Sequence, residues 1–304
     1  KVEDYSYNIA GKFEKGRYEL PRPIKNSFIT EEVKTIFLSD FKIKGTFNSK
    51  NINLNGDGKY SLNNLDFLSI NLKNDFVKNQ INFKLNFDYK NSFELGLINY
   101  KKPKDIIANV SLDLIKKNDY LAINKLDYKE GNNFIVVNGL EFQGNKFLSF
   151  DKIKIETPSN NFFIKDNKKI LIKGIKFDAT NLAKFLKKSE DKNFFNTLNS
   201  NIEIDFKSVK APMSEELKNF KLIGEIKKGQ FVKITSKGDF GGNNFLDISM
   251  KKDRKSNQKY LEVYSDLTRP LLTEYSFFNG LSGGKLLFTS IIDDNKAKSN
   301  LKIE

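Results

Sequence analysis

A chain of 304 residues carrying a net charge of +14, with neither cysteine nor histidine, rules out several chemistries at once. Without thiols there are no disulfides and no thiolate metal sites. Without imidazole the histidine-based nucleophile systems and most zinc chemistry are gone too.

The basic balance invites a nucleic-acid or membrane-surface reading. Its make-up argues against nucleic acid, because only Arg17, Arg22, Arg254 and Arg269 are arginines and the remaining cations are lysines. Arginine's planar fork is the favoured reader of phosphates and base edges. Lysine, asparagine, isoleucine and phenylalanine share AT-rich codons, so base bias on a solvated face is the leading reading of the charge, ahead of attraction to anionic lipid headgroups, with nucleic acid last. The chain opens at Lys1 without a basic leader and ends in mid-alternation on Leu301-Lys302-Ile303-Glu304. That pattern leads us to expect a piece of a longer protein. No uncharged run approaches the ~20 apolar residues of a spanning helix.

In chain order, Tyr18–Pro23 reads as an extended connector, since each proline biases its predecessor away from helix. Residues 28–38 fit a short helix or a strand equally well. Phe41, Ile43 and Phe47 begin a period-2 pattern. Ile52 and Leu54 then lead into Asn55-Gly56-Asp57-Gly58, which reads as a hairpin turn because glycine and asparagine tolerate positive φ.

The clearest strand is 81–89. Ile81, Phe83, Leu85, Phe87 and Tyr89 point one way, while Asn82, Lys84, Asn86 and Asp88 point the other. Such alternation predicts a sheet with one dry and one wet face. Similar runs are Val110-Leu112-Leu114, Phe134-Val136, Leu140-Phe142, Ile153-Ile155, Ile175-Phe177, Ile202-Ile204-Phe206, Phe220-Leu222, Val232-Ile234 and Leu246-Ile248-Met250. Gly139-Leu140-Glu141-Phe142 and Gly174-Ile175-Lys176-Phe177 look like a weak repeat. Helices are expected over 181–188 (running on towards Leu198) and, briefly, over 214–219.

The landmark is 260–292, which reads as strand, short helix, glycine turn and strand. Ser265 or Asp266 is the expected cap, and Pro270 suits a first helical turn. Leu267, Leu271, Leu272, Tyr275 and Phe278 form one apolar face, Gly280, Gly283 and Gly284 stop the helix, and Leu286 and Phe288 resume the alternation.

Nothing nominates a catalytic centre, so no enzyme and no cofactor are expected. The stretch from Asn53 lacks the glutamate that a calcium loop needs at its twelfth place, which here is Asn64. Gly283-Gly284-Lys285 lacks the earlier glycine of a phosphate loop. The pairs Glu215-Glu216 and Asp293-Asp294 read as solvated charge, and 251–255 as a basic hairpin loop. What stands out is the dry face itself, built from many of the 28 phenylalanines. Either the sheet folds back over that face, or the face lines a groove for something apolar.

Residues from about Leu222 to Ile292 resemble the C-terminal module of the AsmA-like family of Gram-negative bacteria. The resemblance runs through Gly229-Gln230-Phe231, Gly238-Asp239-Phe240-Gly241, Tyr260-Leu261-Glu262-Val263, Ser265-Asp266-Leu267, Leu271-Leu272 and Leu281-Ser282-Gly283-Gly284-Lys285-Leu286. Phe177-Asp178-Ala179 followed by Leu182 is similar to the family's helix-opening pattern.

This resemblance implies a mainly β fold: an elongated, curved, mostly antiparallel sheet forming a gutter-like groove, with a few short helices between strands. It implies a repetitive groove segment over 1–177 and a C-terminal-type module over 178–304. It also implies a periplasmic location, with an inner-membrane anchor outside this stretch. The implied role is a conduit or scaffold carrying phospholipid between inner and outer membranes, with membranes at the ends of the full-length protein and no nucleic acid. The groove-lining candidates are then Ile81, Phe83, Leu85, Phe87, Val110, Leu112, Phe134, Val136, Ile202, Ile204 and Phe206. A helix bearing Leu267, Leu271, Leu272 and Phe278 would cap the groove. A β-sandwich or β-solenoid interaction protein without lipid is the competing expectation.

Overall fold

The structure, a computed structural model, describes residues 5–26, 29–182, 198–212, 215–253, 255–256, 258–272, 283–293 and 296–304. It is mainly β and mostly antiparallel, with very little helix. Two compact units are present. The first comprises Lys1–Leu95 and Lys101–Ile153, and the second Gly96–Tyr100 and Lys154–Glu304. The resemblance implies a boundary at 177/178, whereas the two units divide between Ile153 and Lys154, with Gly96–Tyr100 joining the second.

Strands of the first unit are β1 (Ser6–Asn26), β2 (Ile29–Asn48), β3 (Asn51–Ser61), β4 (Leu68–Val77), β5 (Gln80–Tyr89), β6 (Phe93–Leu95), β7 (Tyr100–Lys102, whose Tyr100 falls in the second unit), β8 (Ala108–Lys117), β9 (Tyr120–Glu130), β10 (Asn133–Gln143) and β11 (Lys146–Ser149). Pairing runs β1–β2–β3–β4–β5–β8–β9–β10–β11, always antiparallel. Short hairpins make this possible, since antiparallel neighbours need only a tight turn between them.

Two early readings change here. Asn55-Gly56-Asp57-Gly58 is the middle of β3, not a turn. Its glycines are there for space, because a Cβ on Gly56 or Gly58 would fall 2.7 or 2.6 Å from Phe41. The Phe41 ring, only 4% exposed, fills the room that two absent side chains leave. The actual β2–β3 turn is held by Asn48, whose Oδ1 accepts from the Lys50 and Asn51 amides. Likewise, Tyr18–Pro23 is no connector but part of β1. Prolines are tolerated on an edge strand, and the register with β2 breaks between Glu19 and Ile24. The ambiguous stretch at 28–38 is strand from Ile29 onward.

The second unit contains β12 (Lys152–Thr157, whose Lys152 and Ile153 fall in the first unit), β13 (Asn160–Asp166), β14 (Ile170–Asp178), β15 (Ser200–Lys210), β16 (Glu216–Lys227), β17 (Gln230–Gly241), β18 (Asn244–Lys252), β19 (Lys259–Ser265), β20 (Leu286–Asp293) and β21 (Lys296–Ile303). From β13 to β21 each strand pairs with the next, antiparallel except for β14 on β15, which is parallel. The core gathers on one face. Ile170, Ile202, Leu222, Ile226, Ile234 and Met250 are buried together, with Ile204, Phe220, Ile248 and Leu261 packed against them.

Beside that core, Phe162, Phe177 and Phe206 form an aromatic triad with ring centroids 5.4–5.6 Å apart. Gly174 lies between Phe162 and Phe206 in register. A Cβ there would come within 2.3 Å of Phe162 Cβ. Gly139, its apparent repeat partner, instead has a φ of +63°, so the two tetrapeptides share letters without sharing structure. Residues 216–219, expected to be helical, are strand, and Ser214 lies outside the described residues. Of the stretch 181–188 expected to be helical, only Asn181 and Leu182 are described, and the rest lies outside the described residues.

Replacing Gly174 with alanine is expected to cost about 2 kcal/mol of stability through overpacking of the triad, read as a fall in the urea midpoint with an unchanged slope.

Candidate functional site

Directly opposed residues on paired strands share a face, so the registers identify the dry face of the first unit row by row. Leu72, Leu85, Leu112, Leu126 and Val137 form one row, and Ile70, Phe87, Val110, Tyr128 and Ile135 the next. Phe76 and Ile81 are opposed at one end, and Asn74, Phe83 and Leu114 lie between. Six of the expected lining residues are thus brought together: Ile81, Phe83, Leu85, Phe87, Val110 and Leu112. All six are half-buried rather than closed off.

Phe134 and Val136 are not with them. They stand opposite Lys129 and Asp127 on the wet face, and the dry-face residues of β10 are Ile135 and Val137. In an uninterrupted apolar run such as Phe134-Ile135-Val136-Val137, alternation carries no phase, and only the β9 register fixes it. Ile202, Ile204 and Phe206 belong to the second unit. Ile202 and Phe206 are 7% and 4% exposed, and Ile204 packs on the same core. The first unit's dry face is therefore half-open across β4, β5 and β8, while in the second unit Ile202 and Phe206 are buried and Ile204 is half-buried.

At one end the first unit's dry face meets a buried cation that the sequence reading did not single out. Lys102 is fully buried. Its ammonium donates to the carbonyls of Lys90 (3.1 Å), Pro103 (2.8 Å) and Ile106, and sits 5.7 Å from the centre of the Tyr89 ring. Burial lowers its pKa, with Glu130 and Asp105 opposing. Nearby, the Tyr60 hydroxyl donates to Asp88 O at 2.6 Å, and burial pushes that phenol up. One lysine among Lys101, Lys102 and Lys104 gave no sequence signal for such a role.

The opposite face is wet, as the alternation predicts. Asn71, Lys73, Lys84, Asn86, Ser111, Asp113, Lys125 and Asp127 surround a shallow depression of about 270 Å³. Lys84 pairs with Asp113 at 3.0 Å and Lys125 with Asp127 at 2.6 Å. On the wet face of the second unit, Lys169 and Lys173 both bond Glu203, and the two ammonium groups hold its carboxyl at about 2.

Within the second unit a buried polar network anchors the end of β14. Asn160 Nδ2 donates to Ile98 O (2.7 Å) and Thr157 Oγ1 (3.1 Å), and its Oδ1 accepts from the Asp178 amide (3.0 Å). The Asp178 carboxylate accepts from Thr180 N (3.0 Å) and Asn99 Nδ2 (3.1 Å) and faces Lys210 at 3.6 Å. Burial raises its pKa, but the hydrogen bonds from Thr180 and Asn99 and the charge of Lys210 outweigh this and leave it lowered. Asp178 thus opens the turn at Thr180, the place where the sequence suggests a helix start.

At the landmark, the capping roles differ from expectation. Ser265 Oγ accepts from Leu267 N and donates to Leu267 O. Asp266 reaches across instead, accepting from the Phe245 amide (2.9 Å) and the Tyr264 hydroxyl (2.6 Å) and facing Lys285 at 3.3 Å. The described helix is Arg269–Leu272, preceded by Thr268, whose amide and hydroxyl both bond Gly284 O. Leu272 is buried and Leu267 and Leu271 half-buried, whereas Phe278 lies outside the described residues. The basic loop between β18 and β19 is a turn organised by Asp253, which accepts from the Lys255 and Ser256 amides.

No protein-family model matches this chain, and no curated protein and no solved structure does either. Among the described residues no group of acidic side chains is arranged to hold a metal ion, and no helix is long and apolar enough to cross a membrane.

Two outcomes follow. Asp178→Ala is expected to lose roughly 3 kcal/mol at neutral pH, since a buried, bonded charge site is broken. Because the folded pKa is depressed, Asp178 stabilises above its unfolded value near 4 and the contribution fades as pH falls through the folded value. Urea melts of both proteins at pH 7 and pH 3 should therefore converge on the acid side. By contrast, Ser236→Ala is expected to gain about 1 kcal/mol, because Ser236 is 2% exposed and its hydroxyl has no partner.

Proposed function

We propose that the half-open dry face across β4, β5 and β8 is a contact surface for lipid acyl chains, and that the chain is part of a conduit or scaffold moving phospholipid between the inner and outer membranes. The observation that carries this reading is the pairing of an aliphatic and aromatic panel, interrupted by Asn74 on β4, with an amide- and charge-rich opposite face, on strands whose apolar side chains remain partly accessible. Each CH₂ of an acyl chain gains ~0.8 kcal/mol on leaving water. A lane of this kind needs no catalytic group, only dry side chains succeeding one another from strand to strand. The resemblance to the AsmA-like family supports the same reading and, with it, a periplasmic setting and membrane contacts at the ends of a longer protein.

A closed interaction module without lipid is the second reading, favoured by the buried core of β14–β18. On that reading the first unit's panel would be covered by protein.

Photo-crosslinking residues introduced at Phe83 and Phe87 separate the two. Expected are acyl-chain adducts at both positions, seen by mass spectrometry after lipid extraction, with none at Phe134 or Val136 on the wet face. Absence of adducts at Phe83 and Phe87 would sink the lipid reading.

A further inference from the structure

One row across the first unit's dry face carries a single polar side chain. Read through the registers from β3 to β10, its members are Leu54, Asn74, Phe83, Leu114, Ile123 and Leu140. Along β4 itself, Leu68, Ile70, Leu72 and Phe76 keep the alternation and Asn74 breaks it. Its neighbours on that face, Leu54, Leu72, Phe76 and Phe83, are apolar and half-buried, and so is the rest of the row.

Asn74 also differs from the asparagines of the wet face in its bonding. There Asn53 bonds Asp75, Asn86 bonds Ser111 (2.5 Å) and Asn109 bonds Asp88 (3.1 Å), each across to a neighbouring strand. The Asn74 Oδ1, by contrast, is buried without a hydrogen-bond partner among the described residues. A buried acceptor left unpaired is destabilising, and a leucine at this place would carry no such cost.

We propose that Asn74 is a polar subsite within the lipid-contacting face, and that it selects an acyl chain bearing a hydroxyl group. The inference rests on the lipid reading above and narrows its substrate class. An amide oxygen accepts and an amide NH₂ donates, whereas a hydroxyl does both and so suits the amide whichever way it is turned. The χ2 torsion of asparagine is broad and two-fold, so the oxygen can swing towards a chain lying on the face. A plain methylene chain offers the amide nothing and leaves the oxygen orphaned under hydrocarbon. A charged group would lie among Leu54, Leu72, Phe76 and Phe83 without a counter-ion, which is costlier still. The group that fits both the amide and its apolar surround is a hydroxyl on an acyl chain. Sites that hydrogen-bond a hydroxyl discriminate against the analogue lacking it, because the site's own polar group is then left unpaired.

Titration with octadecanoic acid and with its mid-chain hydroxy derivative, followed by native mass spectrometry, tests this. The hydroxylated acid is expected to bind the unaltered chain roughly tenfold tighter, the gain from satisfying one orphaned polar group. Asn74→Leu is expected to reverse that order, since the hydroxyl then gives up water without finding a partner. The same substitution should raise the urea midpoint, because it removes the unpaired acceptor. Equal or weaker binding of the hydroxylated acid by the unaltered chain would overturn the inference and leave the lipid reading standing. A preference that survives Asn74→Leu would do the same. Binding of neither acid would remove both.

Discussion

Everything in this chain depends on keeping one face of each strand dry over many consecutive pairings. Side chains alternate with a period of two, so a slip of one residue would turn an entire strand inside out. The chain meets this constraint with matched irregularities. Asn124 on β9 and Gly139 on β10 are both skipped in the register between those strands. The shift at β8–β9 also falls at Asn124, so Leu114, Ile123 and Leu140 remain on one face. Asp40, with a φ of 49°, does the same for β2, where Leu38 and Phe41 both end on the dry side although they are three residues apart.

Glycine serves the same end by another route. At Gly56 the Phe41 ring occupies the space of the missing side chain, at Gly58 the Phe41 backbone and ring edge do, and at Gly174 the Phe162 Cβ and the Asn161 carbonyl do. The dry face is thus packed by close approach of a neighbouring strand over these gaps rather than by a residue at every position. Gly238 repeats the device with Leu217, which comes within 2.6 Å of where a Cβ would stand.

How much of this was visible in the sequence follows from the same physics. Strands with clean alternation, such as 81–89 and 202–206, could be read together with their faces, because polar residues at every second place fix the phase. Phe134-Ile135-Val136-Val137 could not, since four apolar residues in a row leave the phase to the neighbouring strand. Asn55-Gly56-Asp57-Gly58 has the composition of a turn, and only the long-range approach of Phe41 shows why it is a strand. The buried Asn160 was hidden, because its partner Ile98 O lies 62 positions away and leaves no local trace, whereas Asp178 was visible as part of a helix-opening pattern but its burial was not.

The parallel joint between β14 and β15 has a kinetic consequence. The strands from β15 to β18 follow one another through short connections, so their pairings are local and form quickly. A parallel pair cannot close through a hairpin and needs a crossover of a dozen residues or more. Ile170 must therefore find Ile202 across a long stretch of intervening chain before the core they share can assemble. Refolding of this unit should be paced by that docking step, with the meander after β15 formed early and waiting for β14 to arrive.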